Sequence, residues 1–187
     1  MARTLDIDDA AALLQRGGLV AYPTEAVWGL GCDPDNETAV LRLLRLKQRP
    51  LEKGLILVAA HIDPLRRWLD LAALPAERLA AVLATWPGPH TWVMPAAEGA
   101  PRWVTGGRDS IAVRISAHAT VVALSEAFGG PLVSTSANLA GKPPARSRAQ
   151  LDPALHDTLD GIVAGETGGL DRPTQIRVAL DGSVLRD

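Results

Sequence analysis

Several residue types are scarce in this sequence of 187 residues, and each scarcity excludes a class of protein. Cys32 is the only cysteine, so the chain cannot form an internal disulfide and suits a reducing compartment. The formal net charge is only −2, so no overall basic field marks the chain as a nucleic-acid binder. Acidic and basic residues nevertheless cluster, with basic groups concentrated in residues 38–54 and 139–150.

Long apolar segments are also missing. The longest uninterrupted one, residues 55–60, is far too short to cross a bilayer. Asp6, Asp8 and Asp9 interrupt any apolar core that a signal peptide would need near the start. We therefore expect a cytoplasmic protein that has no membrane partner.

Common catalytic and nucleotide-binding signatures are absent as well. Gly141 and Lys142 are followed by Pro143, so no phosphate-binding GxxxxGK[ST] loop is present, and GxGxxG, GxSxG and HExxH do not occur. The histidines show no spacing typical of metal ligands, and no metal site is predicted; they are His61, His90, His118 and His156.

The alternation of apolar segments predicts a mixed α/β fold, with a twisted sheet and flanking helices in one domain over residues 1–187. Strands are expected at residues 19–22, 55–60, 91–95, 110–115, 132–134 and 161–164, with a final hairpin at 176–185. Helices are expected at residues 7–14, 36–47, 63–72, 75–86 and 118–128. The Gly- and Pro-rich stretch 96–109 reads as an exposed loop.

Two polar strings follow predicted elements of this fold. Residues 47–50, Lys-Gln-Arg-Pro, end a helix, and residues 134–138, Ser-Thr-Ser-Ala-Asn, end a strand. Together they would suit a polyphosphate and a small polar substrate. Taken separately, the first string also fits a solvated helix end and the second a turn with local hydrogen bonds. Thr24 could bind a substrate or form a turn, and residues 165–169 could bind an anion or form a flexible turn.

Taken in order, six motifs resemble those of the YrdC/TsaC family, the threonylcarbamoyl-AMP synthases of tRNA modification. The resemblance extends over nearly the whole chain. The motifs are residues 21–31 (AYPTEAVWGLG), 46–50 (LKQRP), 86–89 (WPGP), 112–114 (AVR), 134–138 (STSAN) and 165–169 (GETGG).

The resemblance implies a YrdC-like fold with an open, positively charged concave cleft. It implies a nucleotidyltransferase that converts L-threonine, bicarbonate or CO2, and ATP into L-threonylcarbamoyladenylate and pyrophosphate. Mg2+ would be carried with ATP. A separate threonylcarbamoyl transferase complex would then form N6-threonylcarbamoyladenosine (t6A) at position 37 of tRNAs that read codons beginning with A.

The resemblance also implies roles for individual residues. Lys47 and Arg49 would be catalytic and hold the triphosphate, and Arg114 would hold the threonine carboxylate. The other implied ATP contacts are Ser134, Ser136, Asn138, Ser147 and Arg186, and the other implied threonine contacts are Thr24 and Thr174.

Some positions depart from the family pattern. Ala26 stands where many relatives have threonine, and Ser116 stands where proline is common. Residues 174–176 read Thr-Gln-Ile where the family usually has serine-threonine-isoleucine.

Two other functions stay open from the sequence. The basic stretches could serve a non-catalytic factor that binds double-stranded RNA or tRNA during maturation, and a carbamoyl-transfer module is the second.

Overall fold

The protein is built around one mixed sheet of ten strands, in a computed structural model that describes residues 2–186. Along the sheet the strands follow the order β1-β8-β2-β3-β7-β4-β6-β5-β9-β10, with both parallel and antiparallel neighbours. The strands are β1 (Arg3–Leu5), β2 (Val20–Pro23), β3 (Trp28–Gly31), β4 (Ile56–Ala59), β5 (His90–Pro95), β6 (Ser110–Ile115), β7 (Leu132–Ser136), β8 (Gly161–Val163), β9 (Gln175–Val178) and β10 (Val184–Arg186).

Helices flank the sheet and begin at side chains suited to that position. Asp6 accepts a hydrogen bond from the Asp9 amide, and Asn36 accepts one from the Ala39 amide, so each satisfies an otherwise unpaired N–H at a helix start. The helices are α1 (Ile7–Gln15), α2 (Glu37–Leu46), α3 (Ala76–Leu83), α4 (Arg102–Thr105), α5 (Ala119–Phe128) and α6 (Pro153–His156), with 3-10 turns at Leu51–Lys53, Asp63–Trp68, Leu71–Ala73 and Arg148–Gln150.

The two faces of the sheet bury separate apolar clusters. On one face, α1 and α5 cover Val58 and its neighbour Leu132, through side chains such as Leu14, Val121 and Leu124. The other face buries the larger cluster, which includes Leu57, Trp92, Val113, Val133 and residues of α2. Since side chains alternate along a strand, this division follows from the sequence of each strand.

Beyond α1 and α5, the first face continues into a row that crosses four strands. Ser134 of β7 pairs in register with Ile56 of β4, Ile56 pairs with Ala112 of β6, and Ala112 pairs with Val93 of β5. All four residues line a cavity. The floor of that cavity is therefore the part of the sheet that the helices leave uncovered.

The predicted α/β class is confirmed, as are most of the predicted elements. Two expectations were wrong. Residues 63–72 form 3-10 turns rather than an α-helix, because Leu69 is extended and forms a β-bridge with Ala96. Residues 96–109 are not simply exposed, because α4 lies within them and its Val104 is buried and accepts a hydrogen bond from the Leu55 amide.

The sequence patterns also missed β1, β3 and α6, which are short. Over residues 2–186, no helix combines the length and apolar character that spanning a membrane would require.

Candidate active-site cleft

A cavity of about 480 Å3 opens over the uncovered part of the sheet, a size typical of small-molecule sites. Segments from both halves of the chain line it, including residues of β3, β4, β6, β7 and the C-terminal hairpin. None of its lining residues, all of which lie in the described part of the chain, is acidic. Its basic lining residues are Arg49, Lys53, Arg108, Arg114 and Arg186.

The Lys-Gln-Arg-Pro string leaves α2 through a reversal of the backbone. Gln48 adopts a left-handed conformation with φ of 49°, which is uncommon for a residue other than glycine. The amide of Arg49 donates back to the Leu44 carbonyl, and the amide of Gln48 donates to Arg45. This arrangement ends the helix, and as a result the side chains of Lys47 and Arg49 point in different directions.

Arg49 faces the cleft and is held by backbone carbonyls. Its Nε and Nη2 donate to the Gly54 carbonyl over 3.1 and 2.9 Å, and Nη2 also lies 3.3 Å from the Lys53 carbonyl. Gly54 has φ of 61°, a conformation that glycine adopts without strain. Burial, followed by the charges of Arg108 and Arg186, lowers the pKa of Arg49.

Lys47 lies behind the cleft and contacts the second polar string. Its Nζ donates to the Asn138 carbonyl over 2.8 Å and to the Ser136 carbonyl, and it lies 3.4 Å from Asn138 Oδ1. An ammonium has three N–H donors, and three oxygens surround this one. Burial, with a smaller effect from Arg49, lowers the pKa of Lys47 to about 8.

The hydroxyl and amide groups of the second string divide between the cleft and its supporting wall. Ser134 and Ser136 line the cleft, as the period of a strand places alternate residues on one face. Asn138 is engaged elsewhere: its Oδ1 accepts from the Ser136 hydroxyl over 2.5 Å, and its Nδ2 donates to the Leu139 and Lys142 carbonyls. Asn138 therefore shapes the segment that presents Ser136.

A buried polar network closes the opposite end of the cleft. Arg114 of β6 donates from Nη1 to the Thr174 hydroxyl over 2.7 Å, and its Nη2 lies 3.3 Å from Glu25 Oε2. Ser116 donates to Glu25 Oε1 over 2.6 Å. The side chains of Arg114 and Glu25 are only 6% and 8% exposed, so water hardly screens their ion pair.

Of the remaining predicted site residues, two line this cavity and one does not. Thr24 lines it, and its hydroxyl donates to the Val27 carbonyl over 2.7 Å in the turn between β2 and β3. Arg186 also lines it and donates to the Thr174 carbonyl over 2.9 Å. Burial, followed by the charge of Arg114, lowers the pKa of Arg186. Ser147 is half-buried at the start of a 3-10 turn and is not part of the lining.

The structure thus gathers most of the predicted site residues around one cavity, while three lie outside its lining, namely Lys47, Asn138 and Ser147. The sequence-based selection of site residues omitted Arg108, Glu25 and Ser116. Arg108 follows Gly106 and Gly107 in a stretch that read as an exposed loop, so nothing in the sequence related it to Arg49. Glu25 belongs to the motif at residues 21–31, but the motif alone does not indicate that Glu25 contacts Ser116 and Arg114.

The chemistry that this cleft can support follows from its lining. Arginines that are partly buried and close enough to lower one another's pKa make a site that favours a multiply charged anion. The hydroxyls of Ser134, Ser136, Thr24 and Thr174 add neutral hydrogen-bonding groups. The fold and the cavity together define an α/β protein whose candidate ligand site lies on the open face of a mixed sheet.

Comparison with known proteins supports the α/β class and identifies the family of this chain. The family model Sua5/YciO/YrdC, described as telomere recombination, matches residues 12–187. This chain belongs to the Sua5/YciO/YrdC family.

Relatives in this family include proteins of the same length as this chain and longer ones. A protein of Xanthomonas euvesicatoria pv. vesicatoria named threonylcarbamoyl-AMP synthase is 65% identical over 187 residues, which are 100% of both chains. The crystal structure of P. abyssi Sua5 complexed with L-threonine matches with a TM-score of 0.86 and 31% identity over 95% of this chain, which spans 54% of that protein. E. coli YciO, at 24% identity, a TM-score of 0.85 and coverage of 100% and 96%, supports the fold alone.

Proposed function

We propose that this protein is a threonylcarbamoyl-AMP synthase. The observation that carries the proposal is the 65% identity, over the full length of both chains, to a protein of that name. The cleft adds physical support, because it combines cations for a polyphosphate with hydroxyls and a guanidinium for an amino acid. The threonine complex of the Sua5 relative supports an amino-acid substrate.

The reaction needs positioning and charge neutralisation rather than a protein nucleophile. The threonine amine adds to CO2 and loses a proton, which gives a carbamate. A carbamate oxygen then attacks the α-phosphorus of ATP, and the bond to the bridging oxygen breaks to release pyrophosphate. Charge develops on the leaving group, so preorganised cations accelerate this step.

ATP binds, in this proposal, along the side of the cleft formed by Arg49, Ser134, Ser136 and Arg186. The guanidinium of Arg49 is preorganised by the Gly54 carbonyl and offers its remaining N–H groups to the phosphates. Ser134 and Ser136 offer hydroxyls from the floor of the cleft.

Three further groups contribute to the ATP side less directly. Lys47 acts on the phosphates from behind, by its charge and by holding the segment from Ser136 to Asn138. Asn138 contributes through Ser136, to which it is hydrogen-bonded. Ser147 remains a predicted nucleotide contact, although it is not part of the lining.

Threonine binds at the other end, next to Arg114, Thr24 and Thr174. A guanidinium suits a carboxylate because its N–H donors match the two oxygens. Arg114 lines the cleft, and its buried Nε has no hydrogen-bond partner within residues 2–186, so the protein does not use all the donors of this guanidinium.

Mg2+ would enter with ATP and be coordinated by its phosphates, since the lining residues of the cleft supply no carboxylate ligand. We further infer that the protein works in the cytoplasm. Its product would pass to a threonylcarbamoyl transferase complex that forms t6A37 in tRNAs, and tRNA or double-stranded RNA could contact the chain directly.

The proposal is tested by measuring pyrophosphate release from ATP with threonine and bicarbonate present, and with each left out in turn. We expect release to require both, and the adenylate product to carry label from bicarbonate and from threonine. Release that continues unchanged without threonine or without bicarbonate would overturn the proposal. Carbamoyl phosphate in place of threonine serves as the control for a carbamoyl-transfer activity.

A further inference from the structure

The ion pair between Arg114 and Glu25 distinguishes one end of the cleft from the other. Within residues 2–186, Arg114 is the only cation of the cleft lining that has a carboxylate partner. Arg49 and Arg186 bond to backbone carbonyls instead, and these carry no net charge. The positive charge near Arg114 is therefore partly neutralised by the protein, whereas the charge around Arg49 is left for a ligand.

Glu25 is itself held in place by contacts on both its side chain and its backbone. Ser116, which is 1% exposed, donates to Glu25 Oε1, and the Ser116 hydroxyl accepts a hydrogen bond from the His118 amide over 3.1 Å. The Glu25 carbonyl accepts from the Leu170 amide over 3.1 Å. These contacts hold the carboxylate in an orientation in which Oε2 lies 3.3 Å from Arg114 Nη2.

We propose that Glu25, fixed by Ser116, is a positioning residue that aims the Arg114 guanidinium at the threonine carboxylate and makes this end of the cleft unfavourable for polyphosphate. The inference rests on the proposed function and deepens it. It explains how ATP and threonine, which each bring negatively charged groups, occupy one basic cleft in a single orientation. Threonine is a zwitterion with a single carboxylate, so it can bind a guanidinium whose charge is partly neutralised by Glu25. The triphosphate carries several negative charges and is attracted more strongly to the cations without a carboxylate partner at the other end.

The Ser116 bond can be tested by Ser116→Ala, with Ser125→Ala as a matched control. Ser125 is also buried and also makes two hydrogen bonds, to the Gly130 carbonyl and from the Ala60 amide, but it lies on α5 away from the cleft lining. Hydrogen bonds to a charged group are stronger than neutral ones, so we expect Ser116→Ala to raise the KM for threonine about tenfold. The KM for ATP should stay within about twofold, and Ser125→Ala should change neither constant.

The role of the Glu25 charge is tested by Glu25→Gln, which keeps the shape of the side chain. Pyrophosphate should inhibit the wild-type enzyme in competition with ATP and not with threonine. In Glu25→Gln it should also compete with threonine, because Arg114 then lacks its carboxylate. A merely structural role would not change this inhibition pattern.

The results separate this inference from the proposed function. If wild-type enzyme shows no release of pyrophosphate that depends on threonine and bicarbonate, the proposed function fails. If wild-type enzyme is active but Ser116→Ala has an unchanged KM for threonine, or raises both KM values equally, the inference is overturned. Ser116→Ala decides the matter even if Glu25→Gln does not fold, since circular dichroism and the melting temperature can be matched to those of Ser125→Ala.

Discussion

Lys47 Nζ lies 2.8 Å from the backbone carbonyl oxygen of Asn138, to which it donates a hydrogen bond from the end of α2. With the Ser136 carbonyl as a further acceptor, this ammonium joins two segments that are far apart in sequence and form one wall of the cleft. A lysine used in this way fixes the shape of the backbone that presents Ser136. Its contribution to activity should therefore appear as a loss of preorganisation.

Replacing Lys47 by alanine should reduce kcat by an order of magnitude or more. The substitution leaves the Ser136 and Asn138 carbonyls without their shared donor and removes a positive charge from behind the phosphates. We expect circular dichroism to show an intact fold. The free energy of unfolding should fall by about 1–3 kcal/mol, because the two carbonyl groups lose their hydrogen-bond donor. Turnover equal to that of the wild type would contradict the role proposed for Lys47.

Activity should also decline as pH rises above about 8, where Lys47 loses its proton and one of its donors. Stability should change in the opposite direction. The unfolded chain keeps this proton up to the ordinary value of 10.5, so between about 8 and 10.5 it binds more protons than the folded chain. The free energy of unfolding contributed by this group therefore rises with pH in that window and is constant below it.

The measurement is urea unfolding of wild type and Lys47→Met at a series of pH values. We expect the difference in unfolding free energy between the two proteins to change between about 8 and 10.5 and to stay flat below that range. A difference that does not vary with pH would contradict the lowered pKa.

Arg49→Ala should reduce turnover by at least an order of magnitude and raise the KM for ATP. It removes a cation that two hydrogen bonds to the Gly54 carbonyl hold in the cleft. Arg49→Lys should restore little, because an ammonium cannot make the same pair of bonds and still face a phosphate. Arg45→Ala is the control, since Arg45 is an exposed cation at the same end of α2 that does not line the cleft. An effect of Arg45→Ala equal to that of Arg49→Ala would exclude a specific site.

Gln48→Gly should stabilise the fold, although it introduces a glycine. Gln48 has φ of 49°, and a left-handed conformation costs a residue with a Cβ roughly 1–2 kcal/mol. Glycine removes this cost but adds backbone entropy to the unfolded chain, so the net gain should be about 0.5–1 kcal/mol. Urea unfolding measures it, and Gln48→Val should be destabilising in the same assay. A destabilised Gln48→Gly would show that the helix end does not store this strain.

Much of the fold was predictable because its signals are local. The strands β4, β6 and β7 are short apolar segments bounded by polar or turn residues, and α2 has a capping asparagine at one end and proline beyond the other. The strand β3 was missed because its sequence, Trp-Gly-Leu-Gly, contains two glycines and no β-branched residue. It forms a strand because β2 and β7 both pair with it, and that pairing is a property of the tertiary structure.

The site was predictable as a set of residues but not as a set of contacts. The polar strings that contain Arg49 and Ser136 stand out from their apolar surroundings, and both residues do line one cleft. The bond from Ser116 to Glu25 joins residues 91 positions apart, and the bond from Lys47 to Ser136 joins residues 89 apart. No local pattern indicates such partners, because they meet only when the sheet brings distant strands together.

Thr174 contacts both ends of the cleft, since its hydroxyl accepts from Arg114 and its carbonyl accepts from Arg186. A shift of Arg186 when a nucleotide arrives would thus be felt by the residue that steadies Arg114. Under these conditions the affinities for the two substrates become linked, and each must change the other by the same factor. One threonine in the C-terminal part of the chain thereby couples the two ends of the cleft within a single subunit.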